Sequence, residues 1–516
     1  MRLLKSTAVV SLLTFCSRLV GFVRESVIAT TFGASAATDA FFVAFRIPNF
    51  LRQLFAEGSF SSAFVPVLHE AKAKGDLVAL RELIDRISGT LLGVLTVVTA
   101  IGILLASVLV GIFAPGFLDE PEKFSLARDL LRITFPYLPL IALTALAGGI
   151  LNAHSRFAVP ALTPILLNVA MIFAALVLSP YFSQPIEALA WGVLLGGVLQ
   201  LCFQIVPLMR LGLLPRPRFD WQHPSVQKVF RLMIPTLFAA SIMQINLLVD
   251  SIIASLLQTG SVSWLYLSDR LLQLPQGVFG VALGTIMLQH LSSRFSSSDE
   301  AGFRRSLDWG LRLALFLAIP ISLLLIVLAQ PIIWIVYGYG RFSERDVLMA
   351  SASLQTLACG LFAYFLVKVL NSAYFSRQDP GTPVRAGVYS MVSNMLLNAI
   401  IVGSLVWHDY PAPHIGLGLA SALAALLNSF LLYRWLRKAG VYEFAPDMRT
   451  YVLKLVLGSA VLLFFAVTLL REHHEWAMWG GLQRLLHFLW IAGVAGVGYL
   501  VTLLLLGIRP RHFVDR

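Results

Sequence analysis

Fourteen stretches of this chain are each long and apolar enough to cross a bilayer, and that single feature removes most folds from consideration. Scanning for apolar runs near the ~20 residues that a hydrocarbon core of about 30 Å demands of a helix gives spans at about 6–31, 36–68, 80–113, 125–152, 158–180, 186–209, 225–257, 263–294, 303–337, 345–375, 381–406, 413–438, 449–470 and 482–507. The expected fold is an all-α polytopic membrane protein. Only 13% of the residues are charged, against about 25% in a soluble domain. Several spans exceed the bilayer thickness and carry Pro48, Pro66, Pro275 or Pro320, so tilt, kinks and short extramembrane extensions are expected.

The loops between the spans alternate in charge. One set is basic, for example Lys72, Lys74, Arg81 and Arg86, then Arg210, Arg216, Arg218 and Lys228, then Arg434, Arg437 and Lys438; the other, including Gly33–Thr38, Asp119–Glu122 and Trp407–Gly416, is poor in cations. The positive-inside rule then puts both termini in the cytoplasm, although Arg341, Arg345, Arg471 and Arg484 break the pattern. The net charge of +12 follows from these loops and their contact with anionic phospholipid headgroups. It gives no reason to expect nucleic acid as a partner. Cys16, Cys202 and Cys359 lie apart in apolar spans and read as packing residues. The first run contains Arg18 and lacks a small-residue cleavage pattern, so it reads as a span and not as a signal peptide.

Within the spans stand charges that lipid does not tolerate. Arg18, Arg24, Arg52 and Arg270 are the clearest cases, accompanied by Glu25, Asp39, Arg46, Glu57, Asp250, Asp269 and Lys368. A cation at the bilayer centre costs roughly 2.5–3.5 kcal/mol even on insertion scales, so such residues face a cavity or a partner. Arginine stays charged and presents a planar fork suited to phosphate or diphosphate. The charges therefore point to a transport pathway with an anion site. The alternative for each arginine is a fixed carboxylate partner, such as Arg24 with Asp39 or Arg52 with Glu57.

A weak internal repeat organises the spans. Glu25-Ser26-Val27-Ile28-Ala29-Thr30 returns as Asp250-Ser251-Ile252-Ile253-Ala254-Ser255, and Glu57-Gly58-Ser59-Phe60 as Gln276-Gly277-Val278-Phe279. Copies separated by six spans run in the same direction, which implies two six-helix lobes related by a pseudo-two-fold axis along the membrane normal. The expected domains are an N-lobe at 1–210, a cytoplasmic linker at 211–224, a C-lobe at 225–440 and a segment at 441–516 holding two extra helices. Transporters of this design bind substrate at the lobe interface near the midplane and alternate access. Asp39 and Glu57 are then candidate gates, pairing with arginines in one state and releasing them in another. Asp250, with Asn394 and Asn398 at i and i+4 on one helix face, offers oxygens for a small cation; hydrogen-bonded core asparagines are the other possibility. No Walker A loop, Rossmann fingerprint, HExxH or Cys/His metal spacing is present. Any energy must come from an ion gradient, the membrane potential or the substrate gradient.

The block Asp39-Ala40-Phe41-Phe42-Val43-Ala44-Phe45-Arg46-Ile47-Pro48-Asn49, continued by Leu54-Phe55-Ala56-Glu57-Gly58-Ser59-Phe60 and Ala63-Phe64-Val65-Pro66, resembles the signature of the MurJ (MviN) lipid II flippases, within the multidrug/oligosaccharidyl-lipid/polysaccharide exporter superfamily. Gly280–Thr285, Tyr374–Asp379 and Thr382-Pro383-Val384 resemble further blocks. The resemblance implies a transporter and not an enzyme, moving lipid II from the inner to the outer leaflet of a bacterial inner membrane for peptidoglycan synthesis, with that machinery as a possible partner. It implies that Arg18, Arg24, Arg52 and Arg270 engage the diphosphate, that Asp39, Glu57 and Asp269 are acidic cavity positions, and that the last two helices hold the polyprenyl tail. It also implies a sodium site at Asp250, Asn394 and Asn398, with no other cofactor. Gln53 departs from a frequent arginine, and Gln289 from a proline. Two rivals remain: a multidrug or O-antigen exporter, whose cavity for cationic drugs should be acidic, and a membrane glycan polymerase or ligase, which should carry a large periplasmic loop.

Overall fold

The computed structural model describes residues 2–52, 60–73 and 75–509, without the side chains of 2–11, 60–62, 235–244 and 247. Gln53 and Glu57 lie outside the described residues. Every regular element among those described is a helix. Helices α1 (Arg2–Phe32), α2 (Ala36–Arg52) and α3 (Phe60–Ala73) cover the first two apolar runs. Gly33 ends α1 at φ 67°, a left-handed stop that suits glycine, and its N–H donates to the Ala29 carbonyl at 2.8 Å. Helices α4 (Leu77–Leu104) and α5 (Ala106–Phe113) form the third run, and α6 (Pro121–Thr134) and α7 (Tyr137–Ala153) the fourth. Helix α8 (Ala158–Phe173) continues through a wider turn at Ala174–Leu178; α9 (Glu187–Arg210) and α10 (Pro224–Ser255) follow.

Beyond Gly260 come α11 (Ser261–Pro275), a π turn at Gln276–Gly280, and α12 (Val281–Ser296). Next are α13 (Glu300–Val327), α14 (Ala329–Val336), α15 (Glu344–Ala358), α16 (Leu361–Ser376), α17 (Gly381–Trp407), α18 (Ile415–Lys438), α19 (Met448–Leu469), the short α20 (His473–Met478) and α21 (Gly481–Leu505). The described residues of each of the fourteen expected runs lie mainly in helix, and eleven of the described stretches satisfy the length and hydropathy of a membrane span. The other three are the run holding Arg18, Arg24 and Glu25, the one that includes 53–59, which lie outside the described residues, and α10. Of the expected proline kinks, Pro275 immediately precedes the π turn, whereas Pro48, Pro66 and Pro320 lie inside unbroken helices. Breaks inside the expected runs fall at Leu105, Phe135-Pro136, Leu328 and Cys359-Gly360, so one of them does coincide with a proline, though not with one of those four.

Packing divides the chain into Met1–Ser263 and Trp264–Arg516. The repeat boundary and the packing boundary are different quantities: α10 opens the second sequence copy yet packs on α3, α4 and α5. In the first unit the 211–223 segment is strapped to α4. The Arg218 N–H donates to the Asp85 carbonyl at 2.9 Å and the Arg216 N–H to Asp85 Oδ1 at 2.7 Å. Gly89 permits this approach, since a Cβ there would lie 2.3 Å from the Arg218 backbone. In the second unit α19 and α21 pack on each other and on α13. Their outer faces expose Leu453, Phe464, Trp490 and Val497, as expected for helices whose solvent is hydrocarbon.

Candidate functional site

Among the described residues of the first unit, the fully buried charges form two separate clusters. Asp39, in the first turn of α2, is 1% exposed. Its Oδ2 accepts the Gly260 N–H at 2.7 Å, and its Oδ1 accepts the Ser263 N–H at 2.9 Å and the Ser263 hydroxyl at 2.6 Å. These amides stand at the start of α11, Gly260 just before it and Ser263 in its first turn, where helix geometry leaves N–H groups without intrahelical partners and the macrodipole favours an anion. The carboxylate of one helix thus caps another more than 200 residues away. Lys123 Nζ completes the site 3.5 Å from Asp39 Oδ2, and also meets Glu120 at 3.3 Å and the Thr259 hydroxyl at 3.3 Å. Its ammonium stands 4.4 Å from the centre of the Phe117 ring.

Arg24 forms the second cluster. The guanidinium is 8% exposed; Nη2 pairs with Glu25, and Nη1 donates to Asn168 Oδ1 at 2.9 Å. Asn168 in turn donates to the Ser17 carbonyl at 3.3 Å, locking α8 to α1. The close approach is permitted by Gly21, where a Cβ would lie 3.3 Å from Asn168 Nδ2. Arg24 Nε is shielded from solvent and meets no acceptor among the described residues. A buried donor left so costs about 1–3 kcal/mol. The pairing of Arg24 with Asp39 weighed from sequence does not form: Asp39 takes Lys123, and Arg24 takes Glu25. Arg18 stands on the face of α1 that also exposes Phe15 and Leu19, and Arg52, at the end of α2, donates from Nε to Asn49 Oδ1 at 2.9 Å.

In the second unit Arg270 is held by its own helix. Nη2 donates to the Tyr266 hydroxyl at 2.9 Å and Nη1 to Gln273 Oε1 at 3.1 Å, with the guanidinium 4.9 Å from the Tyr266 ring centre. Gln273 also donates to Asp269 Oδ2 at 2.6 Å, so one amide links the neighbouring cation and anion. On α17, Asn398 donates to Asn394 Oδ1 at 3.1 Å, and Asn394 to the Ser421 hydroxyl at 3.2 Å. One of the two amide oxygens expected to face a cation is therefore already engaged, while Asp250 belongs to the first unit. Among the described residues no group of three His, Cys, Asp or Glu side chains could hold a metal.

Sequence reasoning missed Lys123, Asn168 and His414. Lys123 carried a signal, because a lysine in the first turn of a helix opposes the macrodipole and calls for an anionic partner. His414, one residue before the span Ile415–Lys438, is fully buried. Its Nε2 faces the Met349 carbonyl at 3.1 Å and its ring lies 5.1 Å from that of Trp264, whose indole N–H donates to Asp346 at 2.9 Å. Burial pushes its pKa down to about 4, against which the Met349 carbonyl acts weakly. Arg484, one of the cations that broke the loop pattern, is 5% exposed and donates to the carbonyls of Trp476, Trp334, Gly338 and Ala477. It ties α21 to α14 and α20, which accounts for a charge that loop topology did not.

The chain's relatives agree with one another. The family described as "Lipid II flippase MurJ" matches residues 28–486. A probable lipid II flippase MurJ of Vibrio cholerae is 47% identical over 515 residues, covering 98% of this chain and 97% of that protein. A lipid II flippase MurJ of Burkholderia cenocepacia is 40% identical, covering 90% and 89%. Among solved structures, a lipid II flippase MurJ in an inward closed conformation is similar at TM-score 0.78 and 28% identity, over 96% of this chain and 97% of that one. An inward-facing multidrug transporter of the MATE family is similar at TM-score 0.66 but 12% identity, over 82% and 94%, a likeness of fold alone.

Proposed function

The chain belongs to the lipid II flippase MurJ family, and we propose on that ground that it carries lipid II, the polyprenyl-diphosphate-linked peptidoglycan precursor, from the cytoplasmic to the periplasmic leaflet of the inner membrane. No covalent bond changes, so the protein is a transporter and not a catalyst. The step it serves is forbidden to the lipid alone, because a hydrated sugar–peptide head and a charged diphosphate do not cross hydrocarbon unaided.

The observation that carries this reading beyond the family is Arg24. A guanidinium almost removed from water, its Nη groups on Glu25, Asn168 and the Met171 sulfur, keeps a shielded Nε donor that meets no acceptor among the described residues, a donor that an anionic oxygen would satisfy. Arg18, on the uncovered face of α1, adds a second fork in the same unit, and Arg52 a third. In the second unit Arg270 supplies a further fork, steadied by Tyr266 and Gln273. Two phosphates bearing several oxygens suit such donors better than a drug cation does, which favours a lipid diphosphate over the multidrug alternative.

The test is leaflet-resolved measurement of lipid II in cells depleted of the protein and complemented with it or its variants, using a probe that reports the lipid only in the outer leaflet. Depletion should trap lipid II inside, and the wild-type chain should restore it outside. Outer-leaflet lipid II that persists at the normal rate without the protein overturns the proposal.

A further inference from the structure

A cavity of about 730 Å³ in the second unit is lined by none of the arginines or carboxylates assigned to transport. It lies where α13 begins, where α19 begins and where α21 ends, with Arg304, Arg305, Trp309, Arg312 and Lys454 among its walls. Its carboxylates are already committed. Asp308 accepts from Arg312 Nε at 2.6 Å and from the Tyr442 hydroxyl at 2.7 Å, Asp447 accepts from Arg312 Nη2 at 2.8 Å, and Glu443 pairs with Arg437 at 2.8 Å. The hydrogen bond from Arg312 holds the Asp447 carboxyl below the ordinary carboxylate range, so that anion stays spent on its partner. Arg304 gives one N–H to the Gly440 carbonyl at 2.9 Å.

What remains is a surplus of donors. Lys454, in the second turn of α19, makes no ion pair among the described residues. The indole N–H of Trp309, shielded from solvent, likewise meets no acceptor among them. An ammonium set inside a membrane helix and an indole lacking an acceptor both call for an anionic, oxygen-rich group. Beside Lys454, Leu453, Val456 and Leu457 are 58%, 54% and 46% exposed. The cationic wall therefore continues directly into hydrocarbon-facing surface, a junction that matches a molecule with a phosphate at one end and acyl chains at the other.

We propose that this cavity binds the phosphate of an anionic glycerophospholipid from the leaflet that the loop charges assign to the cytoplasm, with Lys454 and Arg305 contacting the phosphate and Trp309 donating to an ester oxygen. The site holds a resident lipid where α13, α19 and α21 meet, and its residues are none of the arginines assigned to transport.

The test uses the full-length protein in nanodiscs of phosphatidylcholine doped with phosphatidylglycerol, with retained lipids counted by native mass spectrometry. Wild type should keep phosphatidylglycerol selectively. Lys454→Gln combined with Arg305→Gln should lower its retention about tenfold, while Lys454→Arg should preserve it. The charge-matched pair Arg216→Gln and Arg218→Gln, on the 211–223 strap, should leave retention unchanged. An unaltered melting temperature in pure phosphatidylcholine shows that the variants fold; if the double variant does not fold, Trp309→Phe is read instead, with a smaller expected loss. Equal retention by wild type and the cavity variants overturns the proposal, as does equal loss in the strap variants, which would mean bulk electrostatics. Competition by free glycerol phosphate at millimolar concentration would assign the cavity to a soluble phosphate and overturn the lipid assignment.

Discussion

Asp39→Asn changes one atom in a site that has no spare acceptor. The carboxylate takes two backbone N–H groups and one hydroxyl and stands 3.5 Å from Lys123. An asparagine offers one oxygen and one NH2 in the same space. Whichever way the amide turns, either Gly260 or Ser263 loses the acceptor for its backbone N–H, and Lys123 keeps only Glu120 as a carboxylate partner. A buried donor stranded in this way costs about 1–3 kcal/mol, and each hydrogen bond that becomes neutral instead of charge-assisted loses roughly another 1 kcal/mol. The sum, about 3 kcal/mol, lies at the lower end of the range for removing one member of a buried ion pair. It should appear locally at the start of α11, because opening free energy is carried by the contacts of each segment. Amide hydrogen exchange at Gly260 and Ser263 should accelerate roughly a hundredfold, about 1.4 kcal/mol being worth a factor of ten. Exchange at α17 and α19 should stay within a factor of about two. Lys123→Met should rescue part of the loss in the double variant, since the uncompensated ammonium then disappears. Exchange at Gly260 and Ser263 rising less than threefold would refute the capping role, and strict additivity of the two substitutions would refute the coupling to Lys123.

Arg24→Lys retains the charge but gathers its donors on one nitrogen and loses the planar fork that reaches Glu25 and Asn168 from separate nitrogens, so complementation should fail while membrane levels remain normal; growth at the wild-type rate would remove the fork from the mechanism. His414 titrates in the folded protein at about 4 and at about 6.5 in the unfolded chain. The unfolded state therefore binds the extra proton first as pH falls, and the stability held above pH 6.5 drains away towards pH 4, by up to about 3 kcal/mol. Melting temperature against pH should show this acid limb, and His414→Gln, which can still donate to the Met349 carbonyl, should flatten it. Sodium coupling, which the sequence resemblance implies through Asp250, Asn394 and Asn398, predicts that sodium raises the melting temperature of the purified protein and that Asp250→Ala abolishes the rise; an unchanged sodium response would assign these side chains to packing.

The sequence by itself determined the elements that depend on one-dimensional properties. Each apolar run became helix because hydrocarbon leaves a backbone no other way to satisfy its polar groups, and Asp76 or Ser343 starts a helix through contacts made two or three residues away. The helix-borne arginines were legible for the same reason, since a charge in an apolar run is anomalous before any neighbour is known. What those charges touch was decided by tertiary structure alone. Asp39 could be paired on paper with any cation, yet its partners are Lys123 and the start of α11, and Arg24 found Asn168 on α8 144 residues away. Such choices depend on distances of a few ångströms between helices brought together by packing, and apolar periodicity fixes which face of a helix is buried without fixing what lies opposite. The helix breaks followed the same division. Pro48, Pro66 and Pro320 lie in unbroken helices, and the break at Leu105 has no proline beside it, whereas those at Phe135-Pro136, at Cys359-Gly360 and at Leu328, three residues before Pro331, do have a local proline or glycine. Arg484 broke the loop-charge rule in sequence and is satisfied in the fold by four carbonyls from segments up to 150 residues away, acceptors that no linear pattern contains.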